Sequence, residues 1–150
     1  MFKNRFVAKV LLGGAVLLVA IQLVPYGRDH SNPLGRSEPA WDRPETRELA
    51  RRACFDCHSN ETVWPRYADI APMSWLIQHD VVEGRENLNF SEWQRTFKEA
   101  GEAAESVSNG EMPPASYLIM HPPARFSPEE KRQLVEGLAA TTRWKATDGD

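Results

Sequence analysis

The residues most able to do chemistry lie within five consecutive positions. The two cysteines, Cys54 and Cys57, are three residues apart, and His58 follows the second directly. Two thiols at this spacing can add across the two vinyl groups of one porphyrin edge, and the histidine after them is then carried beneath the iron as proximal ligand. The motif predicts one covalent haem c, attached through Cys54 and Cys57 and ligated by His58.

Three other interpretations of the cysteines stay open at this point. A disulfide or thioredoxin-like redox pair normally follows a strand, and no strand pattern precedes Cys54. A structural zinc site needs four ligands, whereas the remaining histidines, His30, His79 and His121, are scattered singly. An accidental match in an exported chain is the third. The spacing together with the adjacent histidine favours haem over all three.

A second iron ligand from the protein would be a methionine or a further histidine, because Met/His coordination raises the reduction potential and suits electron transfer. Met112 is the favoured distal ligand, since prolines after it fix the backbone of its loop. His121 is the alternative, with Met120 beside it. Met73 is expected in a helical core stripe and His79 on the surface.

Four short helices are predicted to position these residues, each with a capping residue or proline at its start and apolar side chains at helical spacing. They are expected to run from the Asp42 and Glu45 pair to Cys54, from Pro72 to Gly84 with the stripe Met73, Leu76, Ile77 and Val81, from Ser91 to Gly110, and from Ser127 towards the end of the chain. No stretch alternates with period two, so the predicted class is all-α. Around the haem we expect the aromatic residues Trp64, Trp75, Trp93 and Phe97.

Residues 1–26 are predicted to be a signal or anchor segment. Lys3, Arg5 and Lys9 precede a run of fifteen residues, 10–24, in which Gln22 is the only polar side chain. No pair of small residues marks a cleavage site at the end of this run, which favours an anchor over a cleaved signal. The positive charges before the span predict a cytoplasmic amino terminus and an exported domain, periplasmic or on the outer face of the cytoplasmic membrane.

The length of 150 residues leaves room for one domain after this segment. Residues 27–40, rich in Gly, Pro, Ser and Asn, are expected to form a linker or an extended segment, and residues 41–145 the haem-binding domain. Beyond residue 26 there are 15 basic and 21 acidic side chains, a net charge of −6. This charge argues against nucleic acid as a partner and favours a basic patch on a redox partner.

The longer pattern around the motif resembles a bacterial family, the single-haem, cytochrome-c-like "haem-binding domain" proteins. The resemblance rests on Asn32-Pro33, the run from Cys54 to Thr62, Trp64-Pro65, Tyr67, Ile70-Ala71-Pro72, Ser74-Trp75, Glu83-Gly84-Arg85, the run from Leu88 to Ser91, Trp93, Met112-Pro113, Tyr117, His121 and Ser127. It implies a c-type haem on Cys54 and Cys57, His58 as proximal ligand and Met112-Pro113 as the distal loop. It also implies an exported, often membrane-anchored module, and keeps His121 as a ligand or a neighbour of one.

Two functions from different classes follow. The first is a one-electron carrier rather than an enzyme: a c-type monohaem cytochrome with a His58/Met112-ligated haem that exchanges electrons with a membrane or periplasmic partner protein. The second is a haem-based sensor or peroxidase-like module, in which the distal position opens to a gas or peroxide. A structural subunit with haem as its folding core is a third possibility. The sequence favours the electron carrier.

Overall fold

A computed structural model describes residues 2–34, 37–95, 97 and 99–147. The α-helices are α1 (Phe2–Ile21), α2 (Pro44–Ala53), α3 (Phe55–His58), α4 (Met73–Asn87), α5 (Ala103–Asn109), α6 (Ala115–Met120) and α7 (Pro128–Thr147), with 3₁₀ helices at Arg66–Asp69 and Pro122–Ala124. Within the described ranges there is no strand, only an isolated bridge between Ser37 and Glu92. The predicted all-α class is confirmed, with more helices after α1 than the four expected, among them the short α3, α5 and α6.

Contacts divide the chain into two compact units. The first unit comprises Met1–Ser31 and Trp64–Asp80, and the second comprises Asn32–Val63 and Val81–Asp150. The linear division at residues 26 and 40 stays a prediction, but residues of the expected linker are already packed within the first unit. His30 stacks on Trp64, with 4.5 Å between the ring centroids.

The second unit holds the apolar core. Phe55 and Phe90 stack with 5.7 Å between their centroids, and Phe90 stacks on Trp93 at 5.9 Å. Side chains from α2, α5 and α7 complete the cluster, including Leu49, Ala50, Val107, Leu134 and Leu138. Helices α2 and α7 approach closely where Gly137 lies against Thr46, since a Cβ atom on Gly137 would be 2.1 Å from the Thr46 hydroxyl oxygen. The core therefore packs around the helix that leads into Cys54.

The predicted start of α7 is confirmed. Glu130 Oε2 accepts a hydrogen bond of 2.8 Å from the backbone N–H of Ser127, and the N–H of Glu130 donates to Ser127 Oγ at 3.2 Å. This is the reciprocal capping pattern that the sequence predicted. At α2 the same expectation is wrong: the helix begins at Pro44 without a side-chain cap, and the Asp42 carboxylate instead accepts a bond from Arg43 Nε at 2.9 Å.

The third predicted helix, from Ser91 to Gly110, is largely wrong. Only its last part, α5, is helical, and the described residues before it form turns. Trp93, Phe97 and Ala100 are nevertheless buried as their spacing predicted. The periodicity indicates which side chains are buried. Here successive turns, and not one continuous helix, direct these side chains into the core.

The second predicted helix is present at the expected place, but it ends later than predicted and its apolar stripe is only partly buried. Helix α4 continues past Gly84 to Asn87. Of its apolar stripe, Val81 is buried at 2% exposure, whereas Met73, placed in the core by the sequence, is 40% exposed. The first turns of α4 therefore leave apolar side chains uncovered within the first unit.

Candidate functional site

The two cysteines and the histidine lie in a tight turn between helices of the second unit. Helix α2 ends at Ala53, and Cys54 is the residue before α3. The carbonyl oxygen of Cys54 accepts hydrogen bonds from the backbone N–H groups of Cys57, at 3.2 Å, and His58, at 2.8 Å. The whole motif is thus one rigid turn of chain, placed by the buried face of α2.

The imidazole of His58 is oriented by backbone carbonyl groups. Its Nδ1 lies 3.0 Å from the carbonyl oxygen of Gly84 and 3.0 Å from that of Leu88, both at the end of α4. Carbonyl oxygens only accept, so Nδ1 carries the proton and Nε2 keeps its lone pair. Burial lowers the pKa of His58, which favours the neutral ring. A neutral imidazole with a lone pair on Nε2 is the form that ligates iron.

Gly84 makes this orientation possible. A Cβ atom at Gly84 would be 2.6 Å from the carbonyl oxygen of Cys57, so any other residue would push α4 away from the motif. The sequence suggested this glycine as a helix stop. In the folded chain this glycine instead allows α4 to approach the backbone of Cys57, a role that is visible only once the helices are packed together.

An apolar cavity in the second unit brings together three of the four predicted site residues. Cys54 and His58 line it from the motif, and Met112 lines it from the loop after α5. The rest of the wall is mainly hydrophobic and includes Leu88, Phe90, Val107 and Leu138. Cys57, the fourth predicted residue, lies in the same turn as Cys54 but outside the cavity wall.

The end of α5 positions Met112. Gly110 adopts a left-handed conformation, with φ of 80°, which reverses the chain after the helix. The N–H groups of Glu111 and Met112 then donate to the carbonyl oxygen of Ser106, at 3.0 and 3.1 Å. Met112 is brought back beside the helix whose residues line the cavity, with 38% of its surface exposed.

His121, the alternative ligand, is held elsewhere in the second unit. Its ring stacks on Tyr117 with 3.8 Å between centroids, and its Nε2 lies 3.8 Å from Asp56 Oδ2. Tyr117 donates a hydrogen bond of 2.7 Å to the same carboxylate oxygen. Burial, followed by this bond to Asp56, raises the pKa of Tyr117. His121 and Tyr117 therefore contact Asp56, one of the two residues between the cysteines, and neither of them lines the cavity.

The loop after the motif is a hydrogen-bonded network. Asn60 is 2% exposed, and its side-chain oxygen accepts a bond of 2.8 Å from Asn89. Thr62 donates to the carbonyl oxygen of Asp56 at 2.7 Å, and Arg85 donates to Thr62 at 2.9 Å and to the carbonyl oxygen of Ser59 at 2.8 Å. The run after the motif therefore buttresses the turn that carries His58.

The other candidates are not among the residues that line the cavity. Met73 belongs to the first unit, and so do His79 and the aromatic residues Trp64 and Trp75, which we expected around a haem. Met120 is 55% exposed on α6. Trp93 and Phe97 are buried in the core of the second unit without lining the cavity. The aromatic residue that does line it is Phe90.

Sequence reasoning missed the acidic residue of the wall, Glu99. It lies in the segment that was predicted to be helical, where its position gave no sign that it would face a cavity. The carbonyl groups of Gly84 and Leu88 were also missed, because backbone partners leave no signal in residue types. All three act within reach of His58 or its cavity.

The donor set of the site fits a haem. Two thiols lie in one turn, a neutral imidazole has its Nδ1 already occupied, and a thioether lies on the same apolar cavity. An all-helical domain with a C-x-x-C-H motif, followed by a methionine on the same apolar cavity, defines a haem-binding protein.

The comparison with protein families agrees with this class. The chain belongs to the haem-binding domain family, which matches residues 16–140. No curated protein matches the chain, and no solved structure does.

Proposed function

We propose that the chain is an exported, membrane-anchored c-type cytochrome that transfers single electrons. One haem would be attached through Cys54 and Cys57 and ligated by His58 and Met112. The observation that carries the proposal is the orientation of His58: two backbone carbonyl groups occupy Nδ1 and leave Nε2 for a metal, on a cavity that Met112 also lines. When bound, the haem supplies the one-electron redox chemistry.

The position of the cysteines supports covalent attachment. Cys54 is on the cavity wall, and Cys57 is fixed one turn later by its hydrogen bond to the carbonyl oxygen of Cys54. Burial, with a smaller contribution from Cys57, raises the pKa of the Cys54 thiol to about 12 in the folded chain. Because a thiolate is the more reactive form, we expect attachment to occur before the chain folds around the cavity.

Helix α1 supports the anchor. Residues 4–21 are long and apolar enough to cross a membrane, and they make no buried contacts within the protein. The side chain of Gln22, directly after the helix, donates to the carbonyl oxygen of Ala71 and accepts from its N–H, both at 3.0 Å. A segment that is removed after export would not be expected to make such contacts with the mature part of the chain.

The test is co-expression of the full chain with a cytochrome c maturation system. Haem that stays on the polypeptide in a denaturing gel supports covalent attachment, and Cys57→Ala should lose it together with much of the exported protein. Haem that is extractable from the wild-type protein would contradict the c-type assignment. Low-spin ferrous bands that carbon monoxide leaves unchanged, with the weak red charge-transfer band of ferric Met–Fe ligation, support an electron carrier.

A haem-based sensor or peroxidase-like module is the second candidate, and two observations favour it. Met112 is partly exposed and therefore displaceable, and the cavity wall includes one carboxylic acid residue, Glu99, as acid–base chemistry in the cavity requires. The same spectra separate the two functions. A high-spin ferric haem, or a ferrous haem that binds carbon monoxide in the wild-type protein, would put the sensor or peroxidase-like module first.

A further inference from the structure

The first unit carries an apolar surface next to the end of α1. Ile70 is 58% exposed, Met73 40% and Leu76 49%, and they follow one another at three-residue intervals across the start of α4. Exposed apolar side chains are common singly, but three within seven consecutive residues, one before α4 and two in its first turn, indicate a surface with a partner. We call Ile70, Met73 and Leu76 the apolar rim.

The end of α1 is fixed to this rim by hydrogen bonds. Gln22 Nε2 donates to the carbonyl oxygen of Ala71 and Gln22 Oε1 accepts from the N–H of Ala71, each at 3.0 Å. Ala71 follows Ile70 directly in the chain. Gln22, at the end of α1, bonds both the N–H and the carbonyl group of Ala71 and so holds the backbone next to the first rim residue. This arrangement leaves little freedom between the end of α1 and the rim.

The chain after Gln22 adds a second fixed contact. Gly27 adopts φ of 83° and lies so close to α4 that a Cβ atom there would be 2.4 Å from the carbonyl oxygen of Ser74. Ser74 follows Met73 of the rim. The segment from Gln22 to Gly27 is thus held at both ends against residues that neighbour the rim, and it is not a free tether.

The ends of a membrane-spanning helix lie at the membrane–water interface, and the residues around Gln22 suit that level. Tyr26 is exposed, and the guanidinium of Arg28 donates to the carbonyl oxygen of Gln22. Tyrosine and arginine are typical of this boundary, where a ring or an alkyl stem contacts lipid and the polar end contacts water or phosphate.

We propose that the apolar rim docks into the lipid bilayer that α1 spans, so that the first unit lies on the membrane surface. The inference rests on the anchored state in the proposed function. Met73 and Leu76 are three residues apart on α4, which at about 1.5 Å per residue separates them by roughly 4.5 Å along its axis, less than the ~5–10 Å that apolar faces enter an interface. Continuity with the membrane helix identifies lipid as the occupant.

The experiment uses the full chain, matured with haem and reconstituted into vesicles of phosphatidylethanolamine and phosphatidylglycerol. A phospholipid with a diazirine in its acyl chain near the headgroup is photolysed, and the labelled residues are mapped by mass spectrometry. Label on residues 70–76 as well as on α1 supports docking. Label on α1 with none on residues 70–76 overturns it, whether the rim then faces water, a second copy or another protein.

Variants make the result specific. Ile70→Glu combined with Leu76→Glu should lose label at 70–76 and keep label on α1. Ile119→Glu makes the same chemical change at an exposed isoleucine of α6 and should leave the pattern unchanged. An unaltered haem spectrum shows that the haem site of each variant is intact, and an unaltered far-UV circular dichroism spectrum shows that its helices are. Unchanged label at 70–76 in the Ile70→Glu, Leu76→Glu variant would overturn the inference.

The intact mass keeps this result apart from the anchor itself. A mature protein that lacks α1 contradicts the anchored part of the proposed function, because the segment has then been cleaved. A protein that retains and labels α1 but leaves the rim unlabelled contradicts docking alone.

Discussion

His58 Nδ1 faces two carbonyl oxygens, those of Gly84 and Leu88, so the backbone at the end of α4 determines which ring nitrogen remains for a metal. Hydrogen bonds of this kind fix the tautomer and orientation of a ligating histidine and raise its basicity as a ligand. Met112 is held less firmly, through one backbone bond to Ser106 and a partly exposed side chain. The two sides of the proposed haem therefore differ in rigidity.

Replacement of Met112 with alanine tests this difference. We expect the ferrous protein to bind carbon monoxide, and the reduction potential to fall, because thioether ligation favours ferrous iron. The fall should be a fraction of the roughly 0.8 V range over which axial ligands tune haem proteins. Visible spectra with and without carbon monoxide, and a redox titration, measure both. Met120→Ala removes an exposed methionine of α6 and should change neither; an unchanged Met112→Ala spectrum would move the ligand to Met120 or His121.

At this scale the sequence predicted which side chains lie together, because residue types and their order along the chain carry that signal. Cys54, His58 and Met112 were identified from type and spacing, and the structure places all three on one cavity. The carbonyl groups that orient His58 were not predictable, since a backbone acceptor has no residue type. The position of Glu99 was not predictable either, because it depends on turns that replaced an expected helix.

At the scale of elements, the approach of α4 to the motif depends on Gly84. Gly84→Ala would place a Cβ atom 2.6 Å from the carbonyl oxygen of Cys57, which is backbone and cannot yield cheaply. We expect a loss of about 1–3 kcal/mol in the free energy of unfolding, the usual cost of overpacking. Denaturant titration of the matured full chain, followed by far-UV circular dichroism, measures it.

Gly101→Ala is the matched control, because a Cβ atom there meets nothing within 4 Å. Its unfolding midpoint should stay close to that of the wild type. If Gly84→Ala were as stable as this control, the close approach of α4 would not matter for the fold.

The capping pattern of α7 gives a pH dependence with a definite sign. Hydrogen bonds from Arg52 and from Ser127 lower the pKa of Glu130 from 4.5 to about 2. A carboxyl group with a lowered pKa in the folded state stabilises the fold above its ordinary pKa, and this stabilisation is lost as the pH falls towards the folded value. Acidification from above 4.5 towards 2 should therefore weaken the α7 start and its tie to α2.

Glu130→Gln isolates this contribution, because glutamine keeps the shape of the cap but cannot titrate. Its free energy of unfolding should fall less steeply with acid over this range than that of the wild type. Glu136→Gln changes a carboxylate on the exposed face of the same helix and should follow the wild-type slope. Equal slopes for Glu130→Gln and the wild type would show that the cap does not titrate as described.

The elements themselves were predictable where local chemistry decides them. The α7 start was correct because Ser127, Pro128 and Glu130 act on each other within one turn. The expected helix from Ser91 was wrong because Ser91 serves a distant partner instead: its hydroxyl oxygen accepts a bond of 3.0 Å from the N–H of Asn60. Long-range partners override local preference, and one sequence does not display them.

At the scale of the molecule, net charge is the property that governs encounter with a partner. The chain beyond residue 26 carries a net charge of −6. Part of this negative charge lies near the cavity. The exposed Glu102 and Glu105 lie at the start of α5, whose residues line the wall, and Glu111 directly precedes Met112. An electron carrier with this distribution should meet cationic partners with electrostatic assistance.

The oxidation of the ferrous protein by small cobalt or iron complexes tests this without a known partner. The rate with cationic tris(phenanthroline)cobalt(III) should fall as salt rises from low concentration to about 0.1 M, where the Debye length is about 10 Å. The rate with anionic ferricyanide should rise, because salt then screens repulsion. Stopped-flow absorbance at the haem bands gives both slopes.

A second comparison, between two triple variants of equal net charge, tests whether the location of the negative charge matters. Substitution of Glu102, Glu105 and Glu111 with glutamine should flatten both salt slopes more than substitution of Glu45, Glu48 and Glu129, which removes the same net charge at the exposed starts of α2 and α7 in the second unit. Electrons leave a haem through its nearest accessible edge, so charges beside the cavity act on the productive encounter and distant ones only on the overall attraction. Equal effects of the two triple variants would place the electron's exit away from the α5 side of the cavity.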